Sequence, residues 1–123
     1  MTGRRVITKD GGLDVGEVPL MAARFFKSVS HPVRVAILEA LRDGPKCVCE
    51  FVPLLDVDQP AASKHIAILR SEGLIIGRKE GQRLICRLAD ETVTQLLDLT
   101  YAFLRERWVK EGLLWGAEGS ASL

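Results

Sequence analysis

Two cysteines separated by a single residue form the part of this sequence best suited to chemistry. They occur in the run Cys47-Val48-Cys49-Glu50. Thiolates are soft ligands for thiophilic metal ions, and neighbouring thiols are also open to oxidation. The chain contains three cysteines, an odd number that does not favour a framework of disulfides. The pair therefore predicts ligand or redox chemistry in a reducing compartment.

The backbone around this pair has to depart from a regular helix if both sulfurs are to reach one ion. Residues i and i+2 of an α-helix point about 200° apart. Pro53 has no N–H to donate to the carbonyl of Cys49, and inside a helix its ring would clash with that carbonyl. We therefore expect the regular helix to start at or after Cys49, or to be weak before Pro53. A weak first turn would suit a switch driven by ligand binding.

The third cysteine, Cys86, lies in a segment that is predicted to be a strand. It is in phase with Leu84 and Leu88, and alternate residues of a strand point to the same face. We therefore interpret Cys86 as a small thiol buried in the core.

The elements that position these residues follow from the spacing of apolar side chains. A first helix begins at Glu17, a second starts at Ser30-His31-Pro32, and Asp43-Gly44-Pro45 ends it. A short apolar segment, a helix capped by Asp58, a hairpin around a glycine turn and a long final helix complete the order. Their predicted bounds are 47–55, 58–72, 74–88 and 90–112.

The length of 123 residues is that of one domain, and an apolar fraction of 47% is typical of a soluble globular protein. Residues 1–16, with four glycines, are expected to form a flexible arm and residues 113–123 a flexible tail, so that the domain spans 17–112. No apolar run approaches the roughly 18–20 residues of a membrane helix, and the pattern of residues near Arg4 and Arg5 does not lead us to expect a signal peptide. We therefore expect a cytoplasmic protein that does not associate with membranes.

The predicted fold is mainly α with a small β-hairpin, in the order ααααββα. A short helix, a turn, a second helix and a hairpin is the order of a winged helix-turn-helix. In that motif the second helix, here 58–72, enters the DNA major groove, which is wide enough to admit it.

The surface of the 58–72 helix favours DNA as the partner. At about 100° per residue, Ala62, Ile66 and Leu69 fall on one face, which is expected to pack against the core. The opposite face is small and polar with one cation, which suits close approach to a duplex. His65 lies at the margin of the buried face, so packing and DNA contact both stay open for it. The expected DNA-binding residues lie on this helix and around the hairpin tip: Gln59, Ser63, Lys64, His65, Arg78, Lys79, Gln82 and Arg83.

Positive charge is concentrated in the same part of the chain. Residues 59–88 contain six basic and two acidic residues, a net charge of +4, whereas the rest of the chain contains 11 basic and 14 acidic residues, a net charge of −3. A basic patch on a slightly acidic body can attract phosphates while the body stays soluble. Ordinary surface lysines and arginines are the alternative interpretation.

The final helix carries apolar residues around more than one face. One stripe can cover its own domain while the other needs a partner; the alternative is a helix buried entirely in its own domain. We therefore expect a homodimer with two-fold symmetry, formed through the N- and C-terminal helices. The expected interface residues are Met21, Phe25, Leu97, Tyr101, Leu104 and Trp108.

Three stretches of the sequence resemble a known family of regulators. The run QPAASKHIAILRSEGLI at 59–75 and GRKEGQR at 77–83 are similar to the recognition helix and wing of the ArsR/SmtB family of metalloregulatory repressors, and SHPVRVAIL at 30–38 is similar to its second helix. The resemblance implies a winged-helix homodimer that represses its own operon and binds an imperfect inverted repeat in double-stranded operator DNA. It also implies release of that DNA when a toxic metal or metalloid binds.

The cysteine pair resembles the Cys-Val-Cys-Asp/Glu signature of the arsenic- and antimony-responsive branch of this family. The resemblance implies that Cys47 and Cys49 bind As(III) or Sb(III) as an inducer, with no constitutive cofactor. Members that respond to Cd(II) or Pb(II) share a similar pair, so these ions stay open as inducers. Some arsenic-responsive members carry a third cysteine where this chain has Val52. The family's zinc-type site needs histidines on the last helix, and residues 90–112 contain none.

Three other interpretations compete with an arsenic- or antimony-responsive repressor. The cysteine pair could sense thiol oxidation, or be structural, with Cys47 capping the helix and Cys49 packing. A winged helix used only for protein interaction is a further rival, although the small, polar outer face of 58–72 argues against it. An enzyme is not expected, since the sequence has neither a glycine-rich phosphate loop nor a nucleophile–base signature.

Overall fold

The computed structural model describes residues 16–110, which form five α-helices, one 3-10 turn and three β-strands. In chain order the elements are α1 (Glu17–Val29), α2 (Pro32–Ala40), the 3-10 turn (Leu41–Asp43), β1 (Lys46–Cys47), α3 (Val48–Leu55), α4 (Gln59–Ser71), β2 (Ile75–Glu80), β3 (Arg83–Leu88) and α5 (Glu91–Lys110). The predicted tail at 113–123, and the predicted arm at 1–16 apart from Gly16, lie outside the described residues.

Side-chain caps fix where the central helices begin. At α2, His31 is the N-cap and its Nδ1 accepts a hydrogen bond from the Val33 N–H at 3.1 Å. At α4, Asp58 is the N-cap and its Oδ1 accepts from the Ala61 N–H at 2.9 Å. Each cap satisfies one of the backbone donors that a helix N-terminus leaves free. These starts agree with the capping predicted from the sequence.

The sheet has one strand more than the sequence predicted. The hairpin of β2 and β3 is present, with Glu80 opposite Arg83 and a turn at Gly81, whose φ of 68° lies in the region that glycine adopts without strain. β1 pairs antiparallel with the other edge of β3 and gives the order β1-β3-β2. A strand of two residues is too short to show an alternating pattern, so only its partner reveals it.

The core lies between the helices and the sheet. Its largest side chains that are almost wholly buried are those of Phe51, Ile37, Ile66, Leu69 and Cys86. Ala62 of α4 is also inaccessible, so the predicted inner face of this helix is confirmed. The predicted burial of Cys86 is confirmed as well. The core therefore holds α4 by one narrow apolar face and leaves its opposite face in solvent.

The final helix divides into a face turned to its own domain and a face turned away from it. Val93 and Leu97 are buried in the core, and Leu97 is only 8% exposed. Leu99, Phe103 and Val109 are exposed. Leu97 therefore packs into the core of its own domain, and its predicted place in a dimer interface stays a prediction.

Polar contacts fasten the middle of α5 to the end of α2. The guanidinium of Arg42 lies 2.8 Å from Oδ1 of Asp98 and 2.8 Å from Oε1 of Glu39. Tyr101 packs against the core beside them, and burial together with a hydrogen bond to Glu39 raises the pKa of Tyr101 to about 12. Tyr101, predicted as an interface residue, is thus largely engaged within its own domain. Over residues 16–110, no helix combines the length and apolarity needed to cross a bilayer.

Candidate nucleic-acid interface and thiol site

The outer face of α4 presents short polar side chains and a cation to solvent. Gln59 occupies the first helical position, after the Asp58 cap, and is exposed. Ser63 and Lys64 follow one turn later and are exposed as well. The N-terminal N–H groups of α4 are largely used within the helix, because Asp58 accepts from Ala61 and Pro60 has no N–H. Gln59, Ser63 and Lys64 themselves therefore form the accessible polar surface of this helix.

The hairpin exposes the four predicted wing residues, Arg78, Lys79, Gln82 and Arg83. The Arg78 guanidinium forms an ion pair with the Glu80 carboxylate, which is two residues away on the same strand. Among the described residues, Lys79 and Arg83 form no ion pair. Their charge is therefore available to a polyanion, whereas Arg78 would first have to leave its carboxylate.

His65 is held inside the domain. Its ring is half-buried, and the ring centroid lies 4.4 Å from that of His31. Its Nδ1 accepts a hydrogen bond from Nε of Arg34 at 3.1 Å. Burial, and then the positive charges of His31, Arg34 and Lys64, lower the pKa of His65. Of the two roles that the sequence left open for His65, these contacts support packing and hydrogen bonding.

Two arginines at this site were not singled out from the sequence. Arg34 contacts His65, and the one sequence signal was its position three residues after the His31 cap. Arg70 lies over β2 at Gly77, where a Cβ atom would come within 3.0 Å of Arg70 Nε. A glycine at 77 thus leaves room for the guanidinium beside the sheet.

The cysteine pair forms the N-terminal cap of α3. Cys47 is the N-cap in extended conformation (φ −75°, ψ 146°), and its Sγ accepts a hydrogen bond from the Cys49 N–H at 3.1 Å. The Glu50 carboxylate accepts from the Cys47 N–H at 2.9 Å and completes a capping box. The predicted irregularity of the backbone is confirmed at Cys47. The expected helix start is corrected by one residue, since α3 begins at Val48.

The extended Cys47 brings the two sulfurs to the same side, and the structure joins Cys47 and Cys49 in a disulfide. Cys47 is buried and Cys49 is exposed. Once reduced, two adjacent thiolates in this position fit a soft, thiophilic ion. No group of three or more His, Cys, Asp or Glu ligands is found in the part of the chain that the structure describes. Residues 16–110 therefore offer two thiolates to such an ion.

Cys86 does not join this pair. In the sheet it lies opposite Lys46, whereas Cys47 lies opposite Ile85. Successive residues of a strand point to opposite faces, so Cys47 and Cys86 project from different faces of the sheet. Burial raises the pKa of the Cys86 thiol. Cys86 is thus a core side chain, as the alternation of apolar residues predicted.

Comparisons with known proteins agree with this arrangement. A family model described as bacterial regulatory protein, arsR family, matches residues 31–76. The repressor SmtB of Mycobacterium tuberculosis is 36% identical over 76 residues, which make up 62% of this chain and 56% of that protein. The biofilm growth-associated repressor of Agrobacterium fabrum is 33% identical over 98 residues, which make up 73% of this chain and 84% of that protein. The arsenical resistance operon repressor of Escherichia coli is 37% identical over 71 residues, which make up 57% of this chain and 61% of that protein.

A solved structure extends the similarity to the fold. A homodimeric winged helix-turn-helix DNA-binding domain from Mycobacterium bovis matches with a TM-score of 0.69 and 26% identity, covering 86% of this chain and 92% of that one. The predicted fold, mainly α with a winged helix-turn-helix, is confirmed. The chain spans only slightly more than half of the SmtB repressor that it matches.

Reactivity should separate the exposed thiol of the pair from the core thiol. In fully reduced, native protein we expect iodoacetamide to modify Cys49 at least about tenfold faster than Cys86, because thiolate character and access control the rate. A raised pKa leaves Cys86 with a smaller thiolate fraction near neutral pH. Mass spectrometry of timed samples measures both rates. We expect the two rates to become equal only in denaturant. Equal rates in the native protein would contradict the assignment of Cys86 to the core.

Proposed function

The chain belongs to the ArsR family of bacterial regulatory proteins, and we propose that it is a homodimeric repressor that leaves its operator when As(III) or Sb(III) binds Cys47 and Cys49. One observation carries the proposal. The cysteine pair lies where α3, which packs against α4, meets β1, which pairs with the wing strand β3. A ligand on these sulfurs can therefore act on both DNA-binding elements.

DNA recognition in this proposal belongs to the outer face of α4. Gln59 would reach base edges in the major groove, Ser63 would contact a base edge or a phosphate, and Lys64 a phosphate. The wing contributes Lys79, Arg83, Gln82 and Arg78 to the flanking backbone. His65 supports the helix from within and is left out of the contact set. Two copies related by two-fold symmetry would read an imperfect inverted repeat with half-sites about one helical turn, or a multiple of it, apart.

The proposed dimer uses α1 and α5. Large apolar side chains are exposed on both helices, among them Phe26 on α1 and Leu99 and Phe103 on α5. Between the two helices lies a mainly apolar groove of about 410 Å³. The similar domain from Mycobacterium bovis is a homodimer. From the sequence prediction, Met21, Phe25, Leu104 and Trp108 are kept, whereas Leu97 and Tyr101 pack mainly against their own domain and line the groove.

Ligand binding would act through the cap of α3. The Cys47 sulfur that would bind the ion is the acceptor that holds the first turn of α3, through the Cys49 N–H. Pro53 lies inside α3 and has no N–H for the Cys49 carbonyl, so this turn is short of hydrogen bonds. Ligation would favour a conformer in which α3 and β1 are displaced and α4 is misplaced on DNA. By linkage, operator binding must weaken inducer binding by the same factor.

As(III) favours three thiolates, and the described residues supply two; the third position would be filled by solvent, by a small thiol or by no ligand. Cd(II) and Pb(II) remain alternative inducers under this proposal. We also propose that the chain acts in the cytoplasm, with 17–112 as the functional domain between an arm and a tail.

A second candidate trigger is oxidation of the same pair. The specific observation that favours it is the disulfide between Cys47 and Cys49. Forming that bond removes two protons and two electrons from the thiols, which a peroxide or a disulfide reagent would accept. The fold, the DNA interface and the dimer are the same in both proposals, so the trigger can be tested separately.

The cysteine variants test the inducer. We expect arsenite or antimonite to release the reduced wild-type protein from DNA of its own promoter, measured by fluorescence anisotropy. Cys47→Ser and Cys49→Ser should bind that DNA within about threefold of wild type, since neither contacts DNA, and should lose release. Cys86→Ser is the matched control and should still be released.

Release by arsenite that persists in both Cys47→Ser and Cys49→Ser would contradict the thiolate site. Release by hydrogen peroxide, reversed by dithiothreitol and absent with arsenite, antimonite, cadmium and lead, would favour the oxidation candidate instead.

The wing cations test the mode of DNA binding. Lys79→Ala and Arg83→Ala should each weaken binding similarly for matched and unmatched duplexes, and should each reduce the salt slope of log K by about 2, since the dimer loses one phosphate contact per subunit. Gln59→Ala should instead relax sequence preference, with a cost of about 1–3 kcal/mol on the matched duplex only. Anisotropy titrations at several salt concentrations measure both effects. A wild-type affinity that does not depend on salt would favour a protein-interaction winged helix.

The dimer is tested by charge on the exposed face of α5. We expect Leu99→Glu to produce monomers at micromolar concentration in analytical ultracentrifugation, because two carboxylates would enter a two-fold apolar interface. Leu54→Glu on α3 is the matched control, since Leu54 is 54% exposed and Leu99 69% exposed in the single chain. A dimer that survives Leu99→Glu but not Leu54→Glu would place the interface elsewhere.

A further inference from the structure

Arg34 connects three helices through two hydrogen bonds. From α2, its Nη1 donates to the backbone carbonyl of Ser28 in the last turn of α1 at 2.9 Å. Its Nε donates to Nδ1 of His65 in α4 at 3.1 Å. Arg34 is half-buried and Ser28 is buried. A charge-assisted hydrogen bond in a partly buried setting constrains geometry more than an exposed ion pair does.

Both histidines in this cluster use Nδ1 as an acceptor. His65 accepts from Arg34, and His31 accepts from the Val33 N–H as the cap of α2. A protonated imidazole carries N–H groups at both nitrogens and cannot accept at either. With the rings 4.4 Å apart, protonation of His65 would remove its acceptor for Arg34 and place its new charge beside a second imidazole.

The neighbouring groups whose charge lowers the pKa of His65 are all basic. They are His31, which precedes α2, Arg34 on α2, and Lys64 on α4 itself. The group of α1 that contacts Arg34 is the backbone carbonyl of Ser28, which is a neutral acceptor. Arg34 forms no ion pair with any residue in 16–110. With no carboxylate to compensate, a second positive charge on His65 would be repelled by Arg34.

We propose that Arg34 is the positioning residue for the recognition helix, fixing α4 relative to α1 through His65 and Ser28, and that protonation of His65 breaks this link and weakens operator binding. The inference rests on the proposed function as a DNA-binding dimer. The physical reason is the geometry of the dimer. If α1 belongs to the dimer interface, the angle between α1 and α4 sets how the two recognition helices face successive major grooves.

The sign of the pH effect distinguishes this role from direct DNA contact. The pKa of His65 is lowered, so the neutral ring persists below the ordinary value of about 6.5 and is lost as the pH falls through the lowered value. If His65 positions α4, acidification loses the Arg34 bond and weakens operator binding. If His65 instead contacted a phosphate, its protonation would strengthen binding. His31 and His65 are the only histidines in the chain.

The test is operator affinity of the reduced full chain between about pH 4.5 and 7.5, a range that extends well below the ordinary histidine pKa because that of His65 is lowered; anisotropy on its promoter DNA measures it. Wild type should bind about tenfold more weakly at the acid end. His65→Asn places an amide oxygen near the Nδ1 position and cannot titrate, so it should keep affinity within about threefold at the neutral end and lose the pH dependence. His65→Leu has no acceptor and should be about tenfold weaker throughout.

Arg34→Met keeps an unbranched side chain without donors and should match His65→Leu. Arg24→Met is its control for lost charge, because Arg24 also joins α1 to the end of α4, by an ion pair with Glu72 of 3.3 Å, but is exposed. This control should change affinity by less than about threefold. Circular dichroism confirms that each variant is folded. Equal affinities for Arg34→Met and Arg24→Met, or wild-type binding that tightens on acidification, would overturn the proposal.

Nitrogen NMR of the imidazole rings separates this inference from the proposed function. In DNA-free protein at neutral pH, His65 should carry its proton on Nε2, and the Nδ1 resonance should shift in Arg34→Met. A proton on Nδ1 of His65, or no shift in the variant, would overturn the link whether or not DNA binds. Absence of any specific duplex binding by wild type would overturn the proposed function, and with it the effect on operator binding.

Discussion

The position of α4 depends on one narrow apolar contact. Ala62, Ile66 and Leu69 are the buried residues that attach this helix to the core, and its other side is polar and exposed. A helix held by a single stripe can tilt or slide unless further contacts fix it, because apolar packing is not directional. The surrounding elements supply those contacts, with α3 on one side and α2 with Arg34 on the other. The proposed chemistry of the protein lies in these flanking contacts.

The two helices that flank α4, α2 and α3, both begin at an unusual N-cap side chain. Cys47 caps α3 with a sulfur, and His31 caps α2 with a ring nitrogen. Most N-caps use a hydroxyl or a carboxylate, whose state does not change near neutral pH. A thiol sulfur can instead be taken over by a metal ion or an oxidant. The cap of α3, which packs against α4, is therefore an atom open to chemical change.

Periodicity predicted the parts of the fold that depend on local sequence. The five helices, the hairpin, the inner face of α4 and the burial of Cys86 follow from apolar spacing and capping residues. The rest depends on contacts between distant segments. β1 has two residues and exists through its pairing with β3, and the Arg34–His65 bond joins residues 31 positions apart. The two apolar stripes on α5 overlap in sequence, and only packing shows that the domain itself covers Leu97.

Because the net charge of the chain is small, the proposed release of DNA depends strongly on the position of the recognition helix α4. The net charge is +1, and within the wing Arg78 already pairs with Glu80. Phosphate contacts supply affinity without regard to sequence, so a strongly basic protein can stay on DNA even when its recognition helix is misplaced. Here one of the three wing cations is already paired, which limits the nonspecific affinity that would remain once the α4 contacts are lost. In the proposed mechanism, a small displacement at a helix cap would then release the operator.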